Sequence, residues 1–344
     1  AKDDVLTRLQ EDPLRPAPTG VGVFQNSGYT RLSDFEKVRT TPNTASNSIN
    51  LNAKLDFNTG PKTNFTVGGT FNYSKRRLYN EGNLLFNSPN NGERVDYTWR
   101  AFARFTQRFY SDKADENAKA SAIKNAFYSI QVDYTQDVTK QYDPDHKDEL
   151  FKYGHYGNFQ RYISRDYAPG IDSATGRQGI IQQTFVDTLI GFTPGESNPI
   201  IANIINDYYE TYGWQGYDAD GNPLFDKSLA DDPTTPQNND FLSDLVALQQ
   251  NGGLRNGDAV RSVYNMWSSP GSPFGSYQNF NNTQLRFTAQ GSADIGDHAF
   301  LIGFEYEQRA DRGFGVAPSS LWTLGRLQAN RHITNLDFSN PTIT

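Results

Sequence analysis

Apolar and polar residues alternate one by one along six short stretches of this chain. In the clearest, Ile49, Leu51, Ala53, Leu55 and Phe57 are interleaved with Ser48, Asn50, Asn52, Lys54 and Asp56. The turn sequence Asn58-Thr59-Gly60-Pro61-Lys62 follows, and then Phe65, Val67, Gly69, Phe71 and Tyr73 alternate with Asn64, Thr66, Thr70 and Asn72. The third stretch sets Val95, Tyr97, Trp99, Ala101, Ala103, Phe105 and Phe109 against Asp96, Thr98, Arg100, Arg104, Thr106 and Arg108, with Phe102 breaking its polar side. The fourth carries Ala126, Tyr128, Ile130, Val132 and Tyr134. The fifth sets Leu285, Phe287, Ala289, Gly291 and Ile295 against Gln284, Arg286, Thr288, Gln290 and Asp294. A Gly296-Asp297 turn leads into the sixth, with Phe300, Ile302, Phe304 and Tyr306 on one side. Side chains on a strand point alternately to its two faces, so each stretch predicts a strand with one apolar and one polar wall.

Apolar outside and polar inside, at about 10 residues per span, is the pattern of a transmembrane β-barrel. The predicted fold class is all-β, part of a large antiparallel transmembrane barrel with six strands visible. Six strands cannot close even a barrel of about eight, so further strands are expected from residues beyond these 344. The chain divides into an irregular entry segment (1–46), strands one to four (47–136), a long insertion (137–282), strands five and six (283–309) and a closing loop (310–344). The connections after strands one, three and five are short or moderate, and those after two, four and six are longer. Barrels of the outer membrane keep short turns on the periplasmic side, which puts 137–282 and 310–344 outside the cell. At about 145 residues the insertion exceeds any ordinary loop and is expected to be a folded element of mixed structure. Helical spacing marks Pro199–Tyr212, through Ile200, Ile201, Ile204, Ile205 and Tyr208, and again Asp240–Gln250, through Leu242, Leu245, Val246 and Leu248.

Composition narrows this picture. Mean hydropathy is −0.70 and no run approaches the roughly 18 apolar residues of a spanning helix, which excludes a helical membrane bundle. The absence of cysteine excludes a disulfide framework and a thiolate metal site. With 19 Tyr and 23 Phe the chain can furnish aromatic girdles, although a soluble tyrosine-rich β-sandwich would share that content. The net charge of −7, with no basic stripe, argues against nucleic acid as a partner.

Candidate chemistry is sparse. His146, His155, His298 and His332 are scattered, Gly271-Ser272 runs into Pro273 rather than forming a nucleophile elbow, and Gly20-Val-Gly22 lacks a phosphate loop's later glycine. No enzyme activity and no cofactor are expected. Asp218, Asp220 and Asn222 resemble a calcium loop, but Gly221 stands fourth instead of sixth and no Glu closes it, so a plain turn outweighs surface calcium. Asp143, Asp145, Asp148 and Glu149 are likewise open to a metal or to simple solvation. The inward Arg100, Arg104, Arg108 and Arg286, with Asp96, Asp133, Asp294, Glu305 and Glu307, predict a mixed-charge lumen wall. Mutual pairing, or pairing with a plug, is favoured over a path for an anionic ligand. In the insertion, Tyr208, Tyr212, Trp214 and Tyr217 are candidate ligand contacts, since such rings give rigid amphipathic contact area. Trp267 is expected in a loop core.

Five phrases carry a resemblance. They are Asp12-Pro-Leu-Arg-Pro-Ala-Pro18; Leu150-Phe-Lys-Tyr-Gly154 with Gly157-Asn-Phe159; Asn256-Gly-Asp258 with Val263-Tyr-Asn-Met-Trp267; His298-Ala-Phe-Leu-Ile-Gly-Phe-Glu-Tyr-Glu-Gln-Arg309; and Leu321-Trp-Thr-Leu-Gly-Arg-Leu-Gln-Ala-Asn-Arg-His-Ile333. Together the chain resembles the barrel region of TonB-dependent outer-membrane receptors of Bacteroidota type, in the Oar-like branch with a carboxypeptidase-regulatory-like domain. That resemblance implies a barrel of about 22 strands, an internal plug, and ligand import driven by the TonB energy-coupling complex. The plug and TonB box are not among these residues. Membrane lipid and lipopolysaccharide would surround the barrel, and a surface lipoprotein lid is a further partner to be looked for. The alternatives from other classes are a passive structural or assembly barrel of the outer membrane and a soluble β-rich carbohydrate-binding protein.

Overall fold

The computed structural model describes residues 1–16, 23–109, 123–173, 175–212 and 255–334. Its centre is one antiparallel sheet of six strands: β3 (Ser46–Gly60), β4 (Thr63–Arg77), β5 (Glu93–Phe109), β6 (Ile123–Tyr142), β9 (Tyr277–Ile295) and β10 (His298–Val316). The order across the sheet is β10-β9-β6-β5-β4-β3. Each of these strands contains one of the six alternating stretches and runs beyond it, to lengths of 15–20 residues. The sheet is open among the described residues, with β3 and β10 each paired on one side.

The ladder places all six apolar faces on one side. Leu55 lies level with Val67, Ala103, Val132, Phe287 and Tyr306 across the whole sheet. On the other side, Asp56 is level with Thr66, Arg104, Gln131, Thr288 and Glu305. Burial is inverted relative to a sheet in a soluble protein, whose apolar face packs on a core. Leu55 is 61% exposed, Val132 in a central strand 43%, and Ile302 76%, whereas the polar-side Thr66, Ser129 and Asp133 are 8%, 7% and 3% exposed.

The apolar band also runs obliquely to the rungs. Ala53, the middle of Ile49–Phe57 on β3, stands level with Gly69, Ala101, Tyr134, Leu285 and Gln308. The apolar run of β10, Phe300–Tyr306, centres instead on Gly303, which lies five residues nearer the short-turn end than Gln308. Five residues are about 17 Å along a strand, and five inter-strand gaps about 24 Å, so the band is inclined to the rungs by about 35°.

Phe102, which breaks the polar alternation, has a local cause. It is paired with Gly68 on β4, and a Cβ at Gly68 would fall 2.8 Å from its ring. The ring occupies the space that a side chain at Gly68 would fill.

Outside the sheet the chain builds a compact crown at the long-connection end. It includes α1 (Asp3–Glu11), a short strand pair β1 (Leu14–Pro16) and β2 (Val23–Gln25), α2 (Pro199–Tyr212), and α3 (Ser320–Thr334). Val5 and Leu9, one helical turn apart on α1, pack with Phe86 and Val263, flanked by Phe35, Leu85 and Trp267. On α2, Ile201, Ile204, Ile205 and Tyr208 are buried at the i, i+3, i+4, i+7 spacing of a core-facing stripe.

Three sequence-based boundaries are corrected. Residues 1–46 contain a helix and a strand pair, not only irregular chain. The 137–282 segment starts within β6, ends within β9, and holds a long hairpin of β7 (Gly157–Ile171) and β8 (Gln178–Pro194) that shows no alternation. Residues 310–344 begin with seven more residues of β10 up to Val316, on whose outward side Arg312 replaces an apolar residue, and continue into α3 instead of forming a loop. The Asp240–Gln250 helix expectation lies outside the described residues. No helix among those described is long and apolar enough to cross a membrane.

Candidate functional site

The polar wall of the sheet is knitted together by its own charges. Asp133, at the centre of β6, receives Arg100 from β5 through both guanidinium nitrogens Nε and Nη2, with Nε at 3.1 Å. Arg286 of β9 approaches from the other side at 3.7 Å, and the Gln131 amide donates to the second carboxylate oxygen at 2.7 Å. Two neighbouring strands thus each bring an arginine to one buried carboxylate, which explains how Asp133 is charged yet 3% exposed. Arg104 donates to Gln131. Along the same wall Thr98 donates to Asp137 at 2.7 Å, Thr139 to Asp96 at 2.7 Å, and Thr66 to Asp56 at 2.6 Å. Among the arginines predicted for the lumen, Arg100 and Arg286 converge on one acceptor. Arg108 lies further along β5 toward the short-turn end and forms no ion pair among the described residues.

The crown is held by a second polar knot, at the end of β6. Asp143 is buried, and its Oδ1 accepts from the backbone N–H of Asp145 and His146 at 3.0 and 3.2 Å while Oδ2 accepts from Phe274 N–H at 2.7 Å. Tyr153 is fully buried, accepts from Asp143 N–H at 2.9 Å and donates to Lys147 O at 2.7 Å, and burial pushes its hydroxyl far above the ordinary tyrosine value. Asp148 accepts from the Tyr277 hydroxyl at 2.7 Å and lies 3.3 Å from Lys140, and Glu149 pairs with Lys152 at 2.6 Å. The carboxylates of Asp143, Asp148 and Glu149 are therefore spread over backbone caps and separate ion pairs. Among the described residues no three His, Asp or Glu side chains converge as metal ligands. His146 meets Asn198 at 2.9 Å, and Asn198 in turn donates to the carbonyls of Lys152 and His155.

Phrases far apart in sequence meet in this knot. Asn256 Oδ1 accepts from Tyr156 N–H at 2.7 Å, its amide donates to Gly157 O, and Gly257 N–H donates to Gly154 O at 2.8 Å. From α3, Trp322 donates to Phe151 O at 2.8 Å and Arg326 reaches Asp258 at 3.1 Å. Gly257 has φ +83°, and a Cβ there would collide with Trp322, so this position requires glycine.

The predicted ligand contacts fare unequally. Tyr208 is a core residue, 2% exposed, with burial raising its hydroxyl to about 12 and its hydroxyl bonded to the Gln25 side chain; no ligand can reach it. Tyr212 ends α2, and Trp214, Tyr217, Asp218, Asp220 and Asn222 lie outside the described residues.

The fold brings together another aromatic pair, of which only Tyr264 stands out in the sequence, as one of the insertion's aromatic residues. Tyr29 and Tyr264, both close to half-exposed, line one small cleft of about 20 Å³ together with Gln25, Gly28, Arg261, Ser262 and Val263. The Arg15 guanidinium lies 3.7 Å from the Tyr29 ring centre and has no carboxylate partner among the described residues. Tyr264 and Asn265 have φ of +52° and +57° in a tight turn closed by Val263 N–H to Trp267 O at 2.6 Å and Met266 N–H to Val263 O at 3.1 Å. An asparagine tolerates that region, but a tyrosine is strained there by about 1–2 kcal/mol. The signal in the sequence was the Tyr-Asn pair between buried Val263 and half-buried Trp267.

Comparison with known protein families finds no family model that matches this chain, and no curated protein matches it.

Proposed function

We propose that these residues form part of the wall and the extracellular crown of an outer-membrane β-barrel receptor of the TonB-dependent type, about 22 strands when complete, which imports a ligand. One observation carries the membrane half of this reading: an exposed apolar band inclined at about 35° to the rungs, which is the tilt of strands in transmembrane barrels. At that tilt the nine residues Ile49–Phe57 rise about 22 Å along the membrane normal, close to the roughly 25 Å apolar band of such barrels. A soluble sheet would leave neither so many apolar side chains in water nor a charged residue like Asp133 on its sheltered side. The two edges of the sheet, unpaired among the described residues, support the same reading, because further strands would satisfy their backbone groups. The import half is supported by the sequence resemblance, three of whose phrases meet in one knot of the crown.

The test is membrane fractionation of the full-length protein together with its gel mobility before and after boiling. Outer-membrane partition with a boiling shift is expected. A protein that stays soluble without detergent and shows no shift overturns barrel and import together. Loss of uptake on deletion of the energy-coupling complex separates a receptor from a passive barrel.

A further inference from the structure

The outward face of the sheet carries its charges at one end only. Among the described residues its Lys, Arg, Asp and Glu side chains are Lys75, Arg77, Glu93, Lys140 and Arg312, all at the long-connection end. The short-turn end of the same face has none, only His298. Four cations thus stand with one strand carboxylate, in a chain whose net charge is −7. Glu93 is shared by Lys75 at 2.9 Å and Arg77 at 3.4 Å. Lys140 meets the exposed Asp148 of the crown at 3.3 Å, and Arg312 makes no ion pair among the described residues.

Height along the wall narrows what these cations can meet. Lys75 and Arg77 follow the outward ring of Tyr73 by two and four residues, Lys140 follows Tyr134 by six, and Arg312 follows Tyr306 by six. On strands inclined at about 35° each residue rises about 2.7 Å, which sets the cations about 5–16 Å beyond the rings. An ordinary phospholipid head group is only about 5–8 Å thick, so Lys140 and Arg312 reach past it. They stand two strands apart with an offset of two residues, about 12 Å, close enough to hold one large head group from both sides.

We propose that Lys75, Lys140 and Arg312 bind the phosphates of a sugar-bearing lipid head group, that of lipopolysaccharide, at the long-connection end of the wall. Phosphate takes charge-assisted hydrogen bonds from ammonium and guanidinium groups, and Arg312 offers it a planar fork. Asn279 and Asn281 stand outward on the strand between Lys140 and Arg312, where amides suit sugar hydroxyls. The site rests on the barrel reading above and deepens it, by naming the lipid that one end of the wall meets.

Native mass spectrometry of the detergent-purified full-length protein, with the boiling shift recorded on the same preparation, tests the site. The probe is deep-rough lipopolysaccharide, compared with the same lipid after enzymatic dephosphorylation and with phosphatidylglycerol. The probe is expected to bind at least about tenfold tighter than either comparison. The double variant Lys140→Gln, Arg312→Gln should lose about tenfold in affinity for the probe. Arg309→Gln removes an equal charge from the inward face of the same strand and should bind like the parent. Equal binding of phosphatidylglycerol or of the dephosphorylated lipid overturns the site. So does undiminished affinity in the double variant, or an equal loss in Arg309→Gln. With the boiling shift intact these outcomes leave the barrel standing, whereas loss of the shift overturns barrel and site together.

Discussion

The sheet and the crown use the same apolar residue types in opposite ways. In the crown, Ile201, Ile205, Tyr153 and Val263 are at most 1% exposed, as in any water-soluble core. In the sheet, Leu51, Leu55, Phe304 and Ile302 stand outward and exposed among the described residues, and the sheltered side is polar. One chain therefore contains two solvent assignments. The crown is stabilised by burial from water, whereas the sheet is fully stabilised only when its outer face meets something as apolar as itself.

Substitutions can break or sharpen that contrast. The largest effect is expected from Ile205→Ala on α2, which should cost roughly 2–5 kcal/mol and be visible as early protease cleavage of the crown in water or detergent alike. Leu55→Arg, near the middle of the apolar band, should cost about 2–4 kcal/mol, but only in a bilayer. Refolding yields into lipid vesicles check this, and an equal penalty in aqueous solution would show that the outer face packs on protein. Asp133→Asn leaves Arg100 and Arg286 facing each other. Because both arginines keep about a third of their surface in solvent, the cost should be about 1–3 kcal/mol, below that of a fully buried pair, and should be read as a lower unfolding midpoint in urea. The smallest effect is at Asp148. The Tyr277 hydroxyl first, and Lys140 after it, hold its carboxyl below the ordinary value. The stability it contributes is present above the unfolded carboxylate value near pH 4 and fades as the pH falls through its lowered folded value. Tyr277→Phe should shrink that acid-side loss in a melting series; an unchanged acid limb would assign the loss to other groups.

The contrast also explains what could be read in advance. The six strands were legible because each has one apolar side over seven or more successive residues. Their extensions were not: beyond the band, residues such as Asp311, Arg312 and Gly313 are polar or small on both faces of β10, and the alternation stops there. The β7–β8 hairpin escaped for two reasons. Among the described residues it pairs with no other strand, so neither face has to be apolar, and register shifts at Gln160/Arg161 and Asp166/Tyr167 exchange its faces twice. The helix α2 was legible from its isoleucine stripe. In the site, the pairing of wall charges followed from alternation, but the choice of Asp133 as the shared acceptor depended on the register across three strands. Tyr29 and Tyr264 lie 235 positions apart in the sequence and only folding brings them to one cleft.

The inclined band has a consequence for how such a wall could join itself. The band drifts by five residues over five steps, about one residue per strand, so a rung followed around a closed cylinder returns to its starting strand displaced by about as many residues as there are strands. A displacement by an odd number would bring an outward residue back onto an inward one. With a drift of one residue per step, only an even number of strands lets the inside remain the inside after a full circuit.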